Sequence, residues 1–391
     1  MKTKAIALFL AMVMVGVASA QTPQAAKAAV DAKSIKDIKA YCIDFNWWRR
    51  NLASPGGFAN TDPAVHLAWY KMMGVNVIQT FCVSTNGYAW YKDGVVPEQP
   101  KLKHDFLRDM VKLGHAEGML VMGYFTIACN PRWGAENQEL SYFLKPNEGS
   151  YHLPYTDEYL DFLAKSIKDA VSNTGIDGFM IDWVWQPKRS THYSGQVRTD
   201  YHPWLESEKK LYKQLMGEEF PGKENLTKEQ ELAYSRKAID RCWKTIRKAA
   251  KEANPDCIIW LTVNHMNHPH VVNSDMYKEA DWLMNEKGDI KSIDEVKSMI
   301  GEHTRLITCL ARWNGQDATK VVPDALKAGV GLYGFSVPAN KTPQHLEQLL
   351  ARPVSELTGD DRNIAVLARA YHGVSIDAVW KDGKFVEPDK E

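Results

Sequence analysis

The chain has 391 residues, 48 basic and 48 acidic side chains, and a hydrophobic fraction of 45%. Such a length fits one large domain, and the composition excludes a disordered chain. The balanced charge offers no long-range attraction for nucleic acid or an anionic membrane and suits a neutral ligand.

Lys2 and Lys4, the apolar run Ala5–Val17 and the small residues Ala18-Ser19-Ala20 follow the pattern of a cleavable export signal over residues 1–20. The apolar run is too short for a membrane anchor, so a secreted or periplasmic bacterial protein is expected. Residues 21–35 read as a tether, 36–372 as a single catalytic domain and 373–391 as a C-terminal tail, an edge hairpin or loose terminus. Export permits disulfides. The six cysteines nevertheless fall in or beside expected strands without metal-type spacing, so they are expected as buried thiols.

Along the domain, short apolar runs alternate with helical periodicity. Strands are expected at 41–45, 75–81, 120–125, 178–182, 257–263, 282–285, 305–310 and 331–336. They are rich in β-branched and aromatic residues with little polar alternation, as strands buried on both faces are. Between them, Asp62-Pro63 starts a helix that Gly74 ends. A stripe of Leu160, Leu163, Ile167 and Val171 follows Thr156 and stops at Gly175, and Leu232, Ile239, Trp243 and Ile246 mark another. Ser292-Ile293-Asp294-Glu295 fits a capping box, and a helix follows Asp317. Eight strand–helix repeats in roughly 300 residues predict an α/β (β/α)8 TIM barrel. No Gly-rich dinucleotide or phosphate loop follows the first strand, so no cofactor is expected. Long connections after strands three (127–155) and four (184–228, with a short helix near 206–216) lie on the face where barrel enzymes keep their chemistry.

The polar residues at the strand ends are therefore the candidate site. Strand one offers Asp44 and Asn46, strand two Gln79 and Asn86, strand three Asn130 and Arg132, strand four Asp182, strand five His265, His268 and His270, strand six Glu286, and strand seven Arg312. Asp182 is the strongest carboxylate, because it closes an apolar run and a buried acid is costly unless paired or used. Of 13 tryptophans, Trp47, Trp48, Trp90, Trp133, Trp183, Trp185, Trp204 and Trp313 fall at or beyond strand ends. Flat indole faces beside Asn, His, Arg and carboxylates form a mixture that suits sugar rings.

The run Gly175-Ile176-Asp177-Gly178-Phe179-Met180-Ile181-Asp182-Trp183 resembles the fourth strand of retaining glycosidase barrels of the α-L-fucosidase-like, α-galactosidase-like and α-amylase-like families. The amylase-like pattern fits least, since it wants Arg where Met180 stands. The fucosidase-like group fits best, together with a whole-chain resemblance to bacterial glycosidase-type barrels. The resemblance implies that Asp182 is the nucleophile. It also implies an acid/base partner about 5–5.5 Å away, expected at Glu286 on strand six, with Asp44 as the fallback. The expected activity is hydrolysis of a glycosidic bond in an oligo- or polysaccharide. Substrate contacts are expected from Asp44, Asn46, Trp47, Trp48, Trp90, Asn130, Arg132, Trp133, Trp183, Trp185, His265, Arg312 and Trp313, with no metal. Two other classes stay open: a metal-dependent hydrolase using His265, His268 and His270, which chelation would inactivate, and a non-catalytic glycan-binding barrel. Sugar, linkage and oligomeric state are open.

Overall fold

The computed structural model describes residues 35–48, 51–142, 153–182, 184, 204–263, 266–286, 291–310, 317–337 and 341–388. The expected leader, and the tether up to residue 34, lie outside them. Eight parallel strands close a barrel: β1 (Lys39–Ile43), β2 (Val77–Gln79), β3 (Leu120–Thr126), β4 (Gly178–Asp182), β5 (Ile258–Val263), β6 (Trp282–Asn285), β7 (Arg305–Leu310) and β8 (Gly331–Ser336). Neighbours follow sequence order and β8 pairs with β1, so the expected TIM barrel is the observed fold. Four of the eight strands span the expected residues. β1 and β2 differ most: the ladder engages Lys39, ahead of the expected start, and β2 is limited to Val77–Gln79.

The helices start and stop where elementary chemistry directs. Helix α1 (Pro63–Met73) begins with the Asp62 side chain accepting from the Ala64 amide and ends at Gly74, whose φ of 75° favours glycine. α2 spans Phe106–Ala116, α3 Pro131–Glu136 and α4 Asp157–Thr174. α5 (Glu206–Met216) coincides with the expected short helix, and α6 spans Lys228–Ala253. α6 carries the true capping box of the chain: the Thr227 hydroxyl accepts from the Gln230 amide, and the Gln230 side chain accepts from the Thr227 amide. The helix Lys291–Met299 includes Ser292 in its backbone, and the Ser292 side chain lies outside the described residues. The tail forms an antiparallel hairpin, Val379–Lys381 against Lys384–Val386.

Every second strand residue points into the barrel. Inside, the Trp260 ring contacts Trp282 and Tyr333 at 5.5 and 5.4 Å, and the Tyr333 hydroxyl donates to Gln79 Oε1 at 2.7 Å. Gly178 lies in register between Met122 and Ile258; a Cβ there would meet the Ile258 carbonyl oxygen at 2.2 Å, so the sheet closes only around glycine. The same inward face continues from Cys42 to Asp44, from Tyr124 to Thr126 and from Met180 to Asp182 at the C-terminal rim. All six cysteines are buried thiols.

Residues preceding three strands finish the opposite rim. The Asn76, Asp177 and Asp281 side chains accept from the amides of Lys39, Val121 and Ile259 at 2.9, 2.7 and 2.9 Å. Each thereby satisfies an amide in the first two residues of the preceding strand, which would otherwise be an unpaired donor. Above the other rim, Trp204, Leu211, Tyr212 and Tyr234 form a small second core joining α5 to α6. The Tyr142 hydroxyl donates to the buried Glu208 at 2.5 Å and ties the connection after β3 to α5.

Candidate active site

The strand ends bring Asp44 and Asp182 to one mouth. Asp182, half-buried at the end of β4, accepts the Tyr124 hydroxyl on Oδ2 at 2.7 Å. Asp44 lies one residue beyond β1 and is 8% exposed; its Oδ1 accepts the Asn46 amide at 2.6 Å in a local Asx turn. Burial pushes the Asp44 carboxyl up to about 7; the Asn46 amide opposes this and the Asp182 charge adds to it. The two acids are therefore electrostatically coupled. An acid so held stays protonated while one receiving a hydroxyl donor is favoured as the anion. Glu286 follows β6, half-buried, its amide donating to the Val263 carbonyl at 2.9 Å. Burial first, then the charges of Glu286 and Asp182, push the Cys309 thiol on β7 well up, so the charges of both carboxylates reach this thiol.

A hydroxyl network links the rim. Thr126 Oγ1 donates to the Tyr124 hydroxyl at 3.2 Å and lies 2.9 Å from Thr85 Oγ1, and the Thr85 amide donates to Asn46 Oδ1 at 2.8 Å. The sequence reading passed over Tyr124, Thr126 and Thr85. The usable signal was spacing: Tyr124 and Thr126 are two apart at a strand end, on the face that carries the next strand's acid.

Several expected sugar contacts have other partners. Trp90 is 2% exposed, stacks on Phe45 at 4.1 Å and donates to Ser84. Trp133 packs against Tyr159 and Phe162 of α4, outside the barrel. Asn130 caps α3 through the Trp133 amide at 2.9 Å. Arg132 donates to the Gly87 carbonyl and pairs with Glu136. These four side chains pack or close loops; for Asn130, Arg132 and Trp133 the short helix α3 sets their direction. Asn46 stays at the rim, and Trp47 is half-buried in a two-residue strand pair with Leu52. The Trp48 side chain, Trp183, Trp185, His265, Arg312 and Trp313 lie outside the described residues. The His268 and His270 rings stand 4.8 Å apart, with His268 Nδ1 accepting the His270 amide. Among the described residues no group of three or more His, Cys, Asp or Glu is placed to hold a metal.

The geometry can be set beside known proteins. Residues 64–183, from α1 through Asp182, match the model of a family described as hypothetical glycosyl hydrolase 6. No protein of curated function matches the sequence. An α-L-fucosidase isoenzyme 2 from Paenibacillus thiaminolyticus is similar in fold, with TM-score 0.54 and 13% identity, over 85% of this chain and 49% of that one. A β-galactosidase from the psychrophilic Marinomonas ef1 gives 0.52 and 12%, over 87% and 61%. A glycoside hydrolase family 20 β-N-acetylglucosaminidase gives 0.50 and 11%, over 86% and 69%. This chain spans about half the length of the fucosidase. The chain is thus similar in sequence, over 64–183, to a glycosyl hydrolase family and shares its barrel fold with glycosidases of several specificities.

Proposed function

We propose that the chain is a glycoside hydrolase acting at the C-terminal mouth of the barrel, with Asp182 as nucleophile. The observation that carries this reading is the pairing of two carboxyls in opposite environments at one rim: Asp182 receives a hydroxyl donor, while Asp44 is buried and shifted to about 7. Carboxyls divided in this way into an anion and an acid are the two parts that glycoside hydrolysis needs. The match over residues 64–183, which ends just past Asp182, supports the same reading.

In the proposed course, Asp182 attacks the anomeric carbon as the neighbouring acid protonates the leaving oxygen; the acid then serves as base for water, with retention. We assign the acid to Asp44, because its proton is held to near neutral pH. Glu286 is the second candidate, supported by its strand-six position and by its charge meeting that of Asp182 at Cys309. The substrate class is a neutral oligo- or polysaccharide, and the expected leader makes export part of the proposal.

The test is turnover of a panel of aryl glycosides by wild type, Asp182→Asn, Asp44→Asn and Glu286→Gln, with product anomers followed by proton NMR. Activity lost in Asp182→Asn and Asp44→Asn alone, with a retained anomer, is expected. Loss in Glu286→Gln with Asp44→Asn active would move the acid to strand six. Binding without turnover across the panel would favour a glycan-binding barrel. An N-terminus at Gln21 in the exported protein would support the leader.

A further inference from the structure

We infer that Tyr124 is a positioning residue: with Thr126 and Thr85 behind it, its hydroxyl holds the Asp182 carboxylate in one orientation at the barrel mouth. The functional part of this inference rests on the nucleophile reading above; the positioning part does not.

A tyrosine hydroxyl has one proton to give. Here it goes to Asp182 Oδ2, 2.7 Å away. The Tyr124 hydroxyl oxygen in turn accepts from Thr126 Oγ1 at 3.2 Å. Thr126 has then used its only proton, so the 2.9 Å contact with Thr85 Oγ1 must carry a proton from Thr85. The direction is thereby fixed along the whole chain: Thr85 to Thr126 to Tyr124 to Asp182. The Tyr124 ring has little freedom to abandon the bond, since it packs 4.9 Å from Phe81 and the residue is 6% exposed. Burial, the charges of Asp182 and Asp44 and the bond to Asp182 keep the phenol protonated. The charge of Asp182 acts on Asp44 after β1, Tyr124 on β3 and Cys309 on β7, and the charge of Glu286 acts on the same thiol. The Tyr124 bond is aimed at the acid itself. A donor to the charged form favours that form, and in a buried site the preference is strong.

The test is a carbon-13 titration of the aspartate carboxyls, with Asp182 and Asp44 assigned from their Asn variants. In Tyr124→Phe, which keeps the ring, the Asp182 midpoint should rise by roughly one pH unit, a tenfold change in its ionisation ratio. Thr126→Val, which keeps the shape and removes only the second donor, should move it the same way by less. An Asp182 midpoint unmoved in Tyr124→Phe, with the melting profile intact, overturns the inference. With an aryl glycoside that wild type cleaves, Tyr124→Phe should lower kcat with little change in KM and move the acid limb of kcat/KM upward; a fall confined to KM overturns a positioning role. If the midpoint moves but no glycoside is cleaved by wild type, the glycosidase reading fails and the positioning stands.

Discussion

The two rims of the barrel use the same residue type for opposite ends. At the N-terminal rim, Asp177 accepts from the Val121 amide and from His115 at 2.9 Å, and Asp281 accepts from the Ile259 amide and from Lys251 at 3.1 Å. Each carboxylate there has a strand amide and a basic side chain as partners. At the C-terminal rim, the influences on Asp44 are burial, one amide and another carboxylate, and the result is an acid displaced to about 7. A satisfied carboxylate stabilises a fold; one kept short of partners costs stability and holds reactivity. The comparison predicts that upper-rim changes cost activity and not stability, and lower-rim changes the reverse.

The largest effect belongs to Asp182→Asn. Turnover should fall by more than about 10³-fold, as for a residue that bonds to the reacting carbon, while the circular dichroism melt stays near that of wild type. Substantial residual turnover would break the upper half of the comparison.

Next comes Asp44→Asn, which separates the two costs in one protein. Turnover should fall, and the alkaline limb of kcat/KM near pH 7 should disappear. Stability moves the other way. The folded carboxyl titrates near 7, above the roughly 3.9 of an unfolded chain, so between these values the folded state binds more protons. Wild-type stability is thus fullest below pH 4 and declines as pH rises through 7, by at most about 4 kcal/mol for a shift of this size. The Asn variant lacks this decline. Urea melts at pH 4 and 8 should show its advantage only at the higher pH; an equal difference at both would refute the burial argument.

Asp281→Ala should show the lower-rim pattern. It leaves the Ile259 amide and the Lys251 ammonium without their acceptor, which costs about 1–3 kcal/mol. The denaturation midpoint should fall while kcat and KM hold.

The barrel was legible because its strands are continuous apolar runs. β4, β6, β7 and β8 coincide with their expected spans, since burial on both faces leaves nothing else for Gly178–Asp182 or Arg305–Leu310 to be. The acids were legible for a related reason: a carboxylate closing such a run stands out. The hydroxyl partners were not. Tyr124 inside Leu120–Thr126 looks like one more core aromatic, and only period-two counting back from the strand end separates it from Phe125. The tryptophans are a different case. Position after a strand does not say which way a loop turns, and Trp90 and Trp133 turn into packing against Phe45 and α4.

The smallest effect belongs to His115→Ala. Its ring nitrogen lies 2.9 Å from Asp177, with about a quarter of the histidine side chain and a seventh of the aspartate side chain exposed. The hydrogen bond to Asp177 raises the histidine pKa, burial opposes it, and the charge of Asp177 adds to the rise. A histidine raised in the fold contributes stability that is fully present below its unfolded value, about 6.5, and is lost as pH rises through the higher folded value. Solvent screening keeps a pair this exposed below about 1 kcal/mol. The variant should therefore melt slightly earlier than wild type at pH 5.5, match it more closely at pH 9, and show the same aryl glycoside kinetics as wild type. A stability cost that grows toward alkaline pH would reverse the sign, and would mean that burial of the ring outweighs its bond to Asp177.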